Sequence, residues 1–182
     1  MSQKLTTHSI VIIALFAALL CVSAYISIPL FPLTAGRITL QNFVVLLIAF
    51  ILPLNQSALT LLVWLLLGLA GIPVFIGGSA GLSYITSGWG GYSIAFVLIA
   101  AIIPLLRGKE YKRISYTILA VMAAVFIDVF GALWLMCLTG LSVNQAVLTG
   151  FLPFIPLDLV KAVIVAQVVP QFRQIIAINR HI

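Results

Sequence analysis

The chain has 182 residues, of which 64% are hydrophobic and only 7% charged, and its net charge is +6. Soluble globular domains carry about 25% charged residues, so too little polar surface is present to coat a water-soluble core. Composition therefore predicts an all-α integral membrane protein with one membrane domain over 1–182. It argues against nucleic-acid binding, because the basic balance comes without a basic helix or an arginine–aromatic platform.

A bilayer core takes about 20 apolar residues as helix, and six segments qualify or nearly qualify. The first is predicted over about 9–28. Lys4 and His8 precede it, and Val22-Ser23-Ala24 resembles a signal cleavage site. The apolar run, however, exceeds the ~7–15 residues of a signal core, so it is expected to stay as a span. Prolines and a glycine in "PLFPLTAGR" end it. The second segment, about 38–52, stops at "PLNQ"; the third, about 57–70, stops at "GIP". A connection with seven glycines between Gly71 and Gly91 follows, and its length favours a functional loop. The remaining segments are predicted over about 92–106, 115–138 and 151–178.

Lysine and arginine in short loops set orientation. Arg107, Lys109, Lys112 and Arg113 follow the fourth segment, Lys4 precedes the first, and Arg173 and Arg180 close the sixth. With six crossings these fall on one side, so both termini are expected in the cytoplasm. The glycine-rich connection then faces outward. Irregular backbone at membrane depth is tolerated where it lines a cavity.

Arg37, Asp128, Asp158 and Lys161 remain unexplained by topology. A charge in a membrane helix costs roughly 2.5–3.5 kcal/mol, which invites a functional reading. Asp158 and Lys161, spaced i, i+3, share a helical face near the outer surface, as do Arg37 and Gln41 at i, i+4. They either neutralise one another or line a pocket for a small solute. The pocket reading is favoured, because Phe75, Tyr84, Trp89 and Tyr92 supply aromatic walls. Gly77, Gly78 and Gly81 permit close backbone approach, and Ser79 joins the candidate set. Asp128 is expected to be protonated or hydrogen-bonded within the bundle and is not counted among the ligand contacts. Cys21 and Cys137 stand far apart, and His8 and His181 lie near the ends, so no metal or cofactor site is expected.

The stretches "ITLQNFVVLL", "LLLGLAGIPVF", "GGYSIAF" and "PFIPLDLVKA" resemble BioY, the biotin-binding S-component family of energy-coupling factor (ECF) vitamin transporters. The likeness covers nearly the whole chain. Leu157 replaces the family's usual glycine before the aspartate, and "SGWGGY" stands where G-P-T-G-G-Y is common. The resemblance implies a six-helix bundle in the plasma membrane that binds biotin near its outer face. It also implies a transmembrane coupling subunit (T component) and two ATPase subunits as partners. Asp158 then suits a ureido N–H and Lys161 the ureido carbonyl, with Arg37 or loop N–H groups on the tail carboxylate; Lys161 on the carboxylate is the reversed pose. Ala14 and Ala18 form the A-x-x-x-A pair that such proteins turn to the coupling subunit, with Cys21 and Tyr25 extending the stripe and Ala17 beside it.

Two other functions were weighed against this one. A stand-alone proton-coupled carrier for a small carboxylated solute would use Asp128 and Asp158, but the halves show no repeat. An intramembrane enzyme lacks a nucleophile–base pair or metal cluster. No P-loop motif is present, so ATP-driven transport needs a partner.

Overall fold

A computed structural model describes residues 6–30, 34 and 36–178. Lys4 and Arg180, two of the cations expected on the cytoplasmic side, and His181 lie outside the described residues.

The chain is predominantly helical. Helix α1 (Thr7–Ser23) leads into a two-stranded antiparallel hairpin, β1 (Ser27–Pro29) with β2 (Arg37–Thr39), in which Ile28 faces Ile38. Helices α2 (Gln41–Ile51) and α3 (Leu54–Leu69) follow. A 3-10 turn (Ile76–Gly78) and the short α4 (Leu82–Ile85) interrupt the glycine-rich connection before α5 (Gly90–Leu106). Then come α6 (Arg113–Thr139), the short α7 (Val143–Ala146), a π turn (Val147–Phe151) and α8 (Ile155–Ile178). By length and composition, Arg113–Thr139 and Ile155–Gln174 can cross a bilayer, while Thr7–Ser23, Gln41–Ile51, Leu54–Leu69 and Gly90–Leu106 are shorter apolar helices.

Local chemistry accounts for where the helices differ from the predicted segments. The first segment stops at Ser23 and the second starts at Gln41 because residues on both sides are drawn into the hairpin. Pro53 forces Leu52 into extended backbone (ψ 149°), which separates α2 from α3. The sixth segment is broken before α8, where Pro153 lies in the break and Pro156 sits in the first helical turn, which needs no N–H partner. Two prolines lie deeper in helices, and each leaves the carbonyl four residues back without a donor. For Pro104 that is Ala100 O, and the Ser57 hydroxyl donates to it at 2.8 Å. For Pro170 it is Ala166 O, and the Tyr111 hydroxyl donates to it at 3.0 Å.

Helix α2 forms the centre. All its residues except Phe43 are buried, as expected of a helix that is apolar all round, and it packs against α1, α5 and α8. At one end of the bundle Arg107 donates to Phe50 O and, at 2.6 Å, to Leu52 O, and Arg173 donates to Phe50 O at 3.2 Å. Ser9 and Gln56 meet at that same end. The hairpin, the glycine-rich connection and the start of α8 gather at the other end and enclose a cavity.

Candidate functional site: an aromatic cavity over a carboxylate

The cavity has a volume of about 580 Å³, within the usual range for a small-molecule site. Its floor is built on α8. Asp158, 2% exposed, receives Lys161 Nζ on Oδ1 at 2.7 Å and Asn42 Nδ2 on Oδ2 at 2.5 Å. Lys161 Nζ also donates to Thr39 O at 2.7 Å, which ties α8 to the hairpin. Phe154, four residues before Asp158 and hence on the same helical face, forms a wall with two aromatic rings from the start of α5. Trp89 stacks on Tyr92 with centroids 5.9 Å apart and meets Phe154 edge-on at 6.1 Å. A side chain at Gly36 would come within 2.7 Å of the Trp89 ring, so glycine there lets the hairpin close over this wall.

The glycine-rich connection supplies the other side. Val74 O accepts from Gln41 Nε2 at 3.0 Å and from Trp64 Nε1 at 2.9 Å, which pins the loop to the bundle. Phe75 is fully buried beneath it, edge-on to Trp64 and stacked on Tyr84 at 4.9 Å. Burial pushes the Tyr84 phenol up to about 12. Gly77 has φ 69° and abuts the Arg37 side chain, whose Nε donates to Ser27 Oγ at 3.0 Å. Arg37 is exposed at the rim.

Of the residues singled out in the sequence, Arg37, Ser79, Tyr84, Trp89, Tyr92 and Asp158 line this one cavity. Lys161 stands behind Asp158, off the wall, and acts on the cavity through that carboxylate. Gln41 and Phe75 are loop anchors beneath the surface, and Gly78 packs beside Tyr25 while Gly77 takes the lining position. Asp128, not counted among the ligand contacts from the sequence, lines the cavity. Asn42, Thr39, Ser83, Ser87 and Phe154 also line it and were not singled out. Asn42 was legible as the second of two adjacent amides, with Gln41, opening an apolar helix, and Phe154 by its helical spacing from Asp158. On α1, Ala14 and Ala18 are exposed, Cys21 is half-buried and Ala17 is buried, and Tyr25, just beyond the helix, is exposed. Among the described residues no His, Cys, Asp and Glu gather as a metal site.

A helical bundle with a cavity at one end, walled in part by aromatic rings and floored by a carboxylate that a lysine neutralises from behind, defines a small-solute-binding membrane protein. The chain belongs to the BioY family, whose model matches residues 1–178. It is 33% identical over 164 residues to biotin transporter BioY2 of Lactococcus lactis subsp. cremoris, covering 90% of this chain and 88% of the relative. It is 39% identical over 151 residues to a probable biotin transporter BioY of Pyrococcus horikoshii, covering 83% and 87%. Its fold matches the crystal structure of the S-component for biotin from an ECF-type ABC transporter with a TM-score of 0.84, at 22% identity and over 96% and 95% of the two chains.

Proposed function

We propose that this chain is the biotin-binding S component of an ECF-type ABC transporter and mediates biotin uptake. The observation that carries the proposal is the cavity floor. Asp158, braced by Lys161 and Asn42, presents acceptor lone pairs at the bottom of an aromatic chamber. Biotin's ureido ring brings N–H donors, its thiophane ring is apolar, and its tail ends in a carboxylate. A buried carboxylate is acceptor-only when ionised and so suits a ureido N–H. Trp89, Tyr92 and Phe154 suit the thiophane ring, and Arg37 at the rim suits the tail carboxylate. The commitment of Lys161 Nζ to Asp158 and Thr39 supports the pose with the ureido ring deep and the carboxylate outward. Asn42, which keeps a second amide N–H, suits the ureido carbonyl in place of Lys161.

The chain crosses the plasma membrane six times with both termini in the cytoplasm, in this reading. The basic loop 107–113 and Arg173 meet at the end of the bundle away from the cavity, which agrees with that orientation. Energy comes from a T component and two ATPase subunits, and the exposed Ala14 and Ala18 on α1 are the docking pair. Calorimetric titration of the purified chain with biotin, thiamine and riboflavin tests the central claim. Saturable binding of biotin alone is expected; tight binding of another vitamin with biotin ignored would overturn it.

A further inference from the structure

Asp128 lies midway along α6 and is fully buried, with relative exposure of 0%. Neither carboxyl oxygen receives a donor from the described residues, the nearest polar side chain being the Asp158 carboxyl beside it, and it lines the cavity. A buried polar group left without a partner is costly, so a residue in this position needs a reason. Among the described residues no donor reaches it. The Tyr92 hydroxyl donates to Gly150 O. Asn42 and Lys161 both serve Asp158. Helix α6 is also held close to α5 one turn beyond Asp128, where a side chain at Gly131 would collide with the Tyr92 ring. The carboxyl is thus held at the cavity wall by packing and left open by its neighbours.

The occupant that such an arrangement fits is a cyclic urea. Its two N–H groups diverge from the shared carbonyl, so one carboxylate can meet one of them in line and a second acceptor is needed for the other. Asp158 and Asp128 stand on different helices around the same cavity, and a carboxyl offers an acceptor oxygen in either protonation state. Resting on the biotin reading above, we infer that Asp128 is a specificity-determining residue that accepts the second ureido N–H, while Asp158 accepts the first.

The test uses the full chain, purified, with biotin and its two mono-N-methyl ureido derivatives as probes, and the variants Asp128→Leu and Asp128→Asn. Because the carboxyl makes no protein hydrogen bond, Asp128→Leu is expected to keep or raise the unfolding temperature of the ligand-free protein. It should bind biotin about tenfold or more weakly. Wild type should discriminate against methylation at each ureido nitrogen, and Asp128→Leu should lose the discrimination at one nitrogen and keep it at the other. Asp128→Asn, which retains an acceptor oxygen, should lose less affinity than Asp128→Leu. Parental affinity together with unchanged discrimination at both nitrogens in Asp128→Leu, or in Asp128→Ala should the leucine variant not fold, overturns the inference and leaves biotin binding standing. Wild type that ignores biotin overturns the underlying reading itself.

Discussion

Asp158 accepts on one oxygen from Lys161 and on the other from Asn42, and the ion pair is almost wholly removed from solvent, with side-chain exposures of 3% and 15%. Removing one member of such a pair strands the other charge, which costs far more than the pair itself contributes. Asp158→Ala and Lys161→Ala should therefore each weaken biotin binding by about 2–5 kcal/mol while the protein still folds, as calorimetry would register. Lys161 lies behind Asp158, so its effect passes through that carboxylate. The double variant should consequently lose much less than the sum of the singles; strict additivity would mean that each acts alone. Tyr84 carries a second residue-scale expectation. Its ordinary value is 10.0 and burial raises it to about 12 in the folded protein. The neutral phenol is the form the fold favours, so this contribution to stability is complete below pH 10.0 and disappears as pH rises through about 12. Phenolate absorbance of wild type minus Tyr84→Phe should show one tyrosine ionising late. A normal titration would place Tyr84 in water.

At the scale of elements, Pro104 and Pro170 show how helices in an apolar medium tolerate a missing N–H. Each orphaned carbonyl has a hydroxyl donor from a neighbouring segment, Ser57 for Ala100 and Tyr111 for Ala166. Ser57→Ala and Tyr111→Phe should each destabilise by about 1–2 kcal/mol in detergent unfolding. Pro104→Ala restores the helix's own donor, so in that background Ser57→Ala should cost little; a full cost there would show that the serine matters for packing alone. None of this is visible in a hydropathy pattern, which marks the apolar segments but not what their backbone carbonyls meet. The hairpin was hidden for a related reason, since two three-residue strands, the first ending at Pro29, are too short for alternation to register. Asp158 stood out because a charge is rare in an apolar segment, and the aromatic wall because its rings cluster near glycines. The roles of Lys161 and Asp128 were not legible, because one-dimensional spacing does not say which side of a helix faces the cavity.

On the scale of the whole molecule, the cavity and the basic cluster occupy opposite ends of the bundle, and α1 runs along its flank with one face unpacked. Ile13, Phe16, Ala17 and Leu20 are buried, whereas Val11, Ala14, Leu15, Ala18, Leu19 and Val22 are exposed. The two small residues therefore form a shallow groove between larger apolar side chains, the shape into which another membrane helix fits closely. The helix that carries that groove is tied to the glycine-rich connection, because the Tyr25 hydroxyl beyond the end of α1 donates to Pro73 O at 2.6 Å. Ala14→Trp and Ala18→Trp fill the groove without touching the core. Both variants should fold and bind biotin as the parent does, yet fail to co-purify with the T component and the ATPases. Ala17→Trp supplies the contrast: at 3% exposure it overpacks the bundle, at a cost of typically 1–3 kcal/mol or more, and should lose stability and biotin binding together. If Ala14→Trp and Ala18→Trp assemble normally, the exposed face of α1 meets only lipid and the coupling subunit docks elsewhere; if they lose biotin binding, the face is internal to the working protein.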